Sequence, residues 1–87
     1  MIISEKALEI HGVFRDEIIN YFIDIGGEAI EEGRFAGEAW EAEVGNEEVV
    51  KLSSIKIPST MVTFRGEVEL LDKMLKAFRL KFLKAGG

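Results

Sequence analysis

Hydrophobic and polar residues change period several times along this 87-residue chain, and each change marks an element. Leu8 and Ile10 alternate with Glu9 and His11, which predicts a half-buried strand over residues 5–12, ended by Gly12. Phe14, Ile18, Phe22 and Ile25 then recur at helical spacing, with Ile19 and Ile23 beside them and Arg15, Asp16 and Asn20 pointing outward. Asp16 and Glu17 suit the positive end of that helix, and Gly26-Gly27 stops it. Period two returns over residues 28–35, a second strand weakened at Gly33. Trp40, Ala42 and Val44 alternate with Glu41 and Glu43 in the clearest one-sided strand, and Gly45-Asn46 reads as the next hairpin turn. A fourth strand is expected over residues 49–57, with Ile55 and Ile57 inward and Ser54 and Lys56 outward. Pro58 belongs at a strand end or edge because it cannot donate to a ladder. Residues 60–65 form the fifth strand, burying Val62 and Phe64 and exposing Thr63 and Arg65, and Gly66 releases the chain into a helix. That helix, residues 67–83, organises the rest. Val68, Leu71, Leu75, Phe78 and Phe82 share one face, Met74 broadens it, and so wide a stripe needs a sheet to lie on.

The order is therefore strand, helix, four strands, helix: an α+β fold with an antiparallel sheet and both helices on one face. The other sheet face is left uncovered, and Glu9, His11, Glu41, Glu43, Ser54, Lys56, Thr63 and Arg65 are the residues expected there. A chain this short is read as one domain spanning residues 1–87, with a modest core and no second lobe. The absence of cysteine excludes disulfides, thiolate metal sites and cysteine nucleophiles. No stretch has the form of a signal peptide or reaches membrane-spanning length, so a soluble cytoplasmic protein without membrane contact is expected.

Charge is unevenly spread. Residues 1–50 hold thirteen acidic and three basic side chains, a net of −10, whereas residues 51–87 hold three acidic and eight basic ones, a net of +5. A bipolar surface of that kind suits docking to a partner or a second copy. The plainer reading places Lys73, Lys76, Arg79 and Lys84 on the solvent side and C-terminal end of the last helix, where the dipole favours cations. Abundant lysine and glutamate with no glutamine or cysteine lean towards a thermophilic source.

Several strings are familiar at this point. Tyr21 ahead of Gly26-Gly27, the run Ser54-Ile55-Lys56-Ile57-Pro58, the alternating Val62-Thr63-Phe64-Arg65-Gly66-Glu67, and a terminal helix ending in Gly86-Gly87 together resemble one known module. It is the C-terminal domain of bacterial proteins related to MoaD, the small sulfur-carrying subunit of molybdopterin synthase, and the match runs from about Phe14 to Gly87. The resemblance implies a fold like half of the TATA-binding protein and a setting in molybdenum or tungsten cofactor assembly. In those proteins a ubiquitin-like sulfur-carrier domain precedes the module. Here Met1 opens directly on the module's first strand, so that domain is expected to be missing.

Candidate chemistry is sparse. Sulfur carriers end in Gly-Gly because an adenylating enzyme needs a thin, unbranched tail, which makes Gly86 and Gly87 candidates for C-terminal activation; the plainer reading is a helix stop. His11, the sole histidine, has Glu9 beside it but no nucleophile, and reads as a surface residue. The acidic cluster Glu28, Glu31, Glu32, Glu38, Glu41, Glu43, Glu47 and Glu48 lacks the spacing of a calcium loop and reads as a solvated face. No catalytic residue, metal site or cofactor is nominated. An anionic chain whose open face mixes both signs is not expected to bind nucleic acid, even though the implied fold has a DNA-binding archetype. The expectation is a non-enzymatic protein-interaction or self-association module that works through the uncovered sheet face or a strand edge, with Glu9, His11, Glu41, Glu43, Lys56, Thr63 and Arg65 as the candidate face. A sulfur carrier activated at Gly87 is the alternative.

Overall fold

A computed structural model describes residues 3–82. The chain runs β1 (Ile3–His11), α1 (Arg15–Asp24), β2 (Glu28–Glu31), β3 (Arg34–Gly37), β4 (Trp40–Leu52), β5 (Ile55–Glu67) and α2 (Val68–Phe82). Every strand pairing is antiparallel, in the spatial order β1-β5-β4-β3-β2. This is the α+β arrangement that the sequence predicts, with β5 central and reaching both β1 and β4.

Both helices lie on the same side of the sheet. Ile18 and Phe22 from α1 and Leu71, Leu75 and Phe78 from α2 close over Ile10, Phe35, Trp40, Ala42, Val44, Val62 and Phe64. Phe22 is the hub: its ring centroid lies 5.5 Å from Phe64, 5.9 Å from Trp40, 5.9 Å from Phe78 and 6.0 Å from Phe35. Trp40 is thus a core residue, as its phase with Ala42 and Val44 requires. The apolar face of α2 also behaves as its spacing predicts, with Met74 and Phe82 packed against the core rim. The stripe of α1 is narrower than predicted. Phe14, Ile23 and Ile25 are exposed, because a ten-residue helix lying across the sheet brings only its central turns over the core. Gly26 closes α1 at φ 99°, a conformation open to glycine.

The strand boundaries correct four local expectations. Residues 28–35 are not one strand but two, β2 and β3, folded back at Glu32-Gly33. Gly45-Asn46 is not a hairpin turn: β4 runs straight through it, and the two residues stand opposite Met61 alone as a bulge between the Val44–Val62 and Glu47–Thr60 pairs. Arg15 covers the bulge: its Nε donates to Gly45 O at 2.8 Å and its Nη2 to Val44 O at 3.5 Å, while its backbone N–H donates to the Glu47 carboxylate Oε1 at 2.8 Å. The strand expected over residues 49–57 is broken by the true turn, Ser53-Ser54, with Ser53 at φ 60° as the primed hairpin turns require at their first central position. Gly66 does not release the chain either; it is a buried β5 residue between Trp40 and Ser4 in the ladder, and α2 starts only after Glu67.

Pro58 sits inside β5, yet costs the sheet no hydrogen bond. Its carbonyl accepts from Gly12 N at 2.9 Å, so its ring nitrogen faces the side where β1 ends. Beyond that point β4 and β5 continue as a two-stranded arm, which draws the molecule out to 46 × 26 × 19 Å.

Candidate functional site

The bulge decides what the open face carries. Before it, Ala42 and Val44 face the helices and Glu41 and Glu43 face away. After it the phase of β4 reverses, so Glu48, Val50 and Leu52 share the open side with their β5 partners Ser59, Ile57 and Ile55. On β5, which has no bulge, the alternation that buries Val62 and Phe64 continues back unbroken, so Ile55 and Ile57 do not point inward; Ile55 is 63% exposed and Leu52 50%. The open face has two parts: a charged patch over the body and an apolar stripe along the arm.

The charged patch follows from register. Glu5, Arg65 and Glu41 stand abreast on β1, β5 and β4, and Ala7, Thr63 and Glu43 form the next row. Arg34 on β3 reaches back to Glu41 at 3.0 Å and to Glu31 at 3.4 Å, and both carboxylates hold its guanidinium above its ordinary pKa. The structure thus brings Glu41, Glu43, Thr63 and Arg65 together and adds Glu5 and Arg34, which sequence reading did not nominate. Alternating acid and base across adjacent strands was the signal for Glu5, but it becomes visible only once register is known. Beside Glu41 and Arg65 an open depression of about 540 Å³ extends to Ile3, Gly37, Trp40 and Glu67.

Glu9 and His11 form a second group at the other end of β1. His11 Nε2 lies 3.2 Å from Glu9 Oε2, and Ser59 Oγ donates to the same oxygen at 2.9 Å. The carboxylate stands in the middle, so the hydroxyl proton is directed to Glu9 rather than to the imidazole that would have to activate it as a nucleophile. Hydrogen bonds from His11 first and Ser59 second, with the charge of His11 behind them, hold the Glu9 carboxyl below its ordinary value of 4.5. A carboxyl depressed in the folded state contributes stability above the unfolded value, and that contribution is lost as pH falls through the folded one. We expect a carbon-detected titration to place Glu9 below a free glutamate, and Ser59→Ala to move it part of the way back up. An unmoved titration in that variant would contradict the contact.

Lys56 does not join these residues. It stands opposite Lys51 on the helix-side face of the arm, one residue out of phase with Ile55 and Ile57. Ser54 lies in the hairpin turn. Gly86 and Gly87 fall outside the described residues. Among the described residues no group of three or more acidic or histidine side chains is arranged to hold a metal ion, and no helix is long and apolar enough to cross a membrane.

No curated protein matches the chain. A family model described as archaeal MoaD-like protein matches residues 6–87. Since that match takes in all but the first five residues, the chain belongs to the archaeal MoaD-like family.

Proposed function

We propose that this chain is a non-enzymatic protein-interaction module serving molybdenum or tungsten cofactor synthesis, and that it docks through its open sheet face. One observation carries the reading. Among the described residues all the helical cover lies on one side, while the open face carries Val50 and Leu52, brought there by the bulge at Gly45-Asn46, with Ile55 and Ile57 along the arm, then Glu9, His11 and Ser59, then the charged patch of Glu5, Glu41, Thr63 and Arg65. An apolar stripe with a mixed-charge patch at its end is the composition of an interface: one part supplies burial, the other register and selectivity. Family membership supplies the setting, because MoaD works as a subunit beside a protein partner. The resemblance to the C-terminal domain of MoaD-related proteins points the same way.

Two charge reversals test the face. Arg65→Glu puts a third carboxylate between Glu5 and Glu41, and is expected to weaken capture of the molybdopterin synthase large subunit from the same source by about tenfold or more. Lys56→Glu, on the opposite side of the arm, is expected to leave capture within about twofold. Circular dichroism should show both variants folded. Equal capture by parent and Arg65→Glu would remove the open face from consideration.

A second reading has one specific observation behind it: the family match extends through Gly86-Gly87. On that reading Gly87 carries the terminal carboxylate and receives sulfur after adenylation. Deleting Gly86-Gly87 would then abolish sulfur transfer without changing the denaturation midpoint, and persistent transfer would dispose of the carrier role.

A further inference from the structure

The arm has two edges, and the structure treats them differently. On β5 the outward-directed positions are Lys56 and Pro58; proline has no N–H, and its carbonyl is already bonded to Gly12. That edge is blunted. On β4 no strand among the described residues pairs with Asn46 to Leu52, since β3 is matched only to residues Trp40–Glu43. Hydrogen-bonding direction on this edge follows from Pro58. Its carbonyl points away from β4, so Val49, directly opposite, turns its own N–H and C=O away from β5. Glu47 and Lys51, two residues to either side, do the same.

We infer that this edge pairs with itself: two copies join antiparallel through β4, about a twofold axis at Val49, into a sheet that continues from one arm to the other. Charge and hydrogen bonding select the same register. With Val49 opposite Val49 of the second copy, Glu47 meets its Lys51 and Lys51 meets its Glu47, all on one face. In that register every outward-directed group finds a partner, giving about six backbone hydrogen bonds. Sliding by one pairing step in one direction sets Glu48 against Glu48; in the other it sets Val49 against Lys51 and leaves Glu47 beyond the partner strand. Odd shifts break the hydrogen-bond alternation. Val49, 68% exposed in the single chain, is covered by its symmetry mate. The remaining outer edges lack this complementarity: β1 carries Glu5 and Glu9 at its outward positions and no lysine there, and β2 is a four-residue strand bearing Glu28 and Glu31. The edge is distinct from the open face, so this inference stands or falls apart from the docking role proposed above.

A charge-swap mixture tests it. Lys51→Glu leaves Glu47 facing a glutamate in its own dimer, and Glu47→Lys leaves Lys51 facing a lysine. Each variant alone is expected to dimerise roughly 30-fold more weakly than the parent in sedimentation equilibrium, and an equimolar mixture to recover parent-like association as a heterodimer. Glu47 also accepts from Arg15, so circular dichroism must show Glu47→Lys folded; Lys51 makes no ion pair or side-chain hydrogen bond among the described residues. A cysteine provides a measurement independent of those charges. The chain has none, and Val49→Cys would meet itself across the axis at about 5.5 Å between Cα atoms, within disulfide reach. Oxidised glutathione is expected to link Val49→Cys into dimers at least about tenfold faster than Ile55→Cys, which lies off the axis. A parent chain that stays monomeric up to about 0.5 mM, a mixture that fails to recover, or equal cross-linking of the two cysteines would overturn the pairing.

Discussion

Replacing Phe22 with alanine is expected to remove about 3–5 kcal/mol of stability, the largest effect of any single truncation in this protein. Its ring is fully buried and touches aromatic partners from β3, β4, β5 and α2 at once: Phe35, Trp40, Phe64 and Phe78. The cavity would open between the sheet and both helices, where no single element can move in to fill it without leaving its other contacts. A domain of this size has roughly 5–10 kcal/mol in total, so the variant would lose about a third of it at the least. Urea denaturation should show the midpoint falling with little change in slope. A loss below about 1 kcal/mol would mean that the two helices do not share one core.

The second large effect is expected at Gly66. A Cβ added there would sit 2.6 Å from the carbonyl oxygen of Ala39 and 3.2 Å from Trp40 Cα. Both are backbone atoms, which cannot swing away as a side-chain tip would. Gly66→Ala must therefore open the β4–β5 ladder beside Trp40, one pair from the Glu41–Arg65 row of the open face. The expected loss is about 2–3 kcal/mol, together with weaker partner capture, since the row that carries Arg65 shifts with the strand. Gly45→Ala is the matched control: its Cβ would come no nearer than 3.2 Å, to the carbonyl oxygen of Met61. Thermal denaturation of the two variants separates strain at one ladder position from a general cost of losing glycine. Equal midpoints would contradict the close approach at Gly66.

What the sequence disclosed and what it hid have the same physical origin. Period reading works where a strand keeps its phase. Trp40, Ala42 and Val44, then Val62 and Phe64, then the α2 stripe were all legible and all form the core. It fails across an inserted residue. The bulge at Gly45-Asn46 shifts β4 by half a period and carries Val50 and Leu52 to the open face, whereas β5 keeps its phase throughout; Ile55 and Ile57 are misplaced in a pattern that ends a strand at Pro58 and so cuts them off from the alternation of Val62 and Phe64. The hairpin turn was hidden for a chemical reason. Ser53 adopts positive φ without being glycine or asparagine, whereas Gly45-Asn46 carries the usual turn residues and spends them on a bulge. Of the candidate face, Glu41, Glu43, Thr63 and Arg65 could be assembled from parity alone. Arg34 and Glu5 required the register, and Lys56 was misplaced by the same phase error that misplaced its neighbours.

Hydroxyl-radical footprinting of the chain, free and bound to the molybdopterin synthase large subunit, addresses the docking face most directly. Met61, Ile55 and Ile57 lie on the open side, and Leu80 and Phe14 belong to the helical side; all but the half-buried Ile57 are well exposed. Docking through the sheet face predicts that labelling falls at Met61, Ile55 and Ile57 while Leu80 and Phe14 keep their free-chain rates. Protection of Leu80 and Phe14 with Met61 and Ile55 unchanged would place the partner on the helices and contradict the proposal.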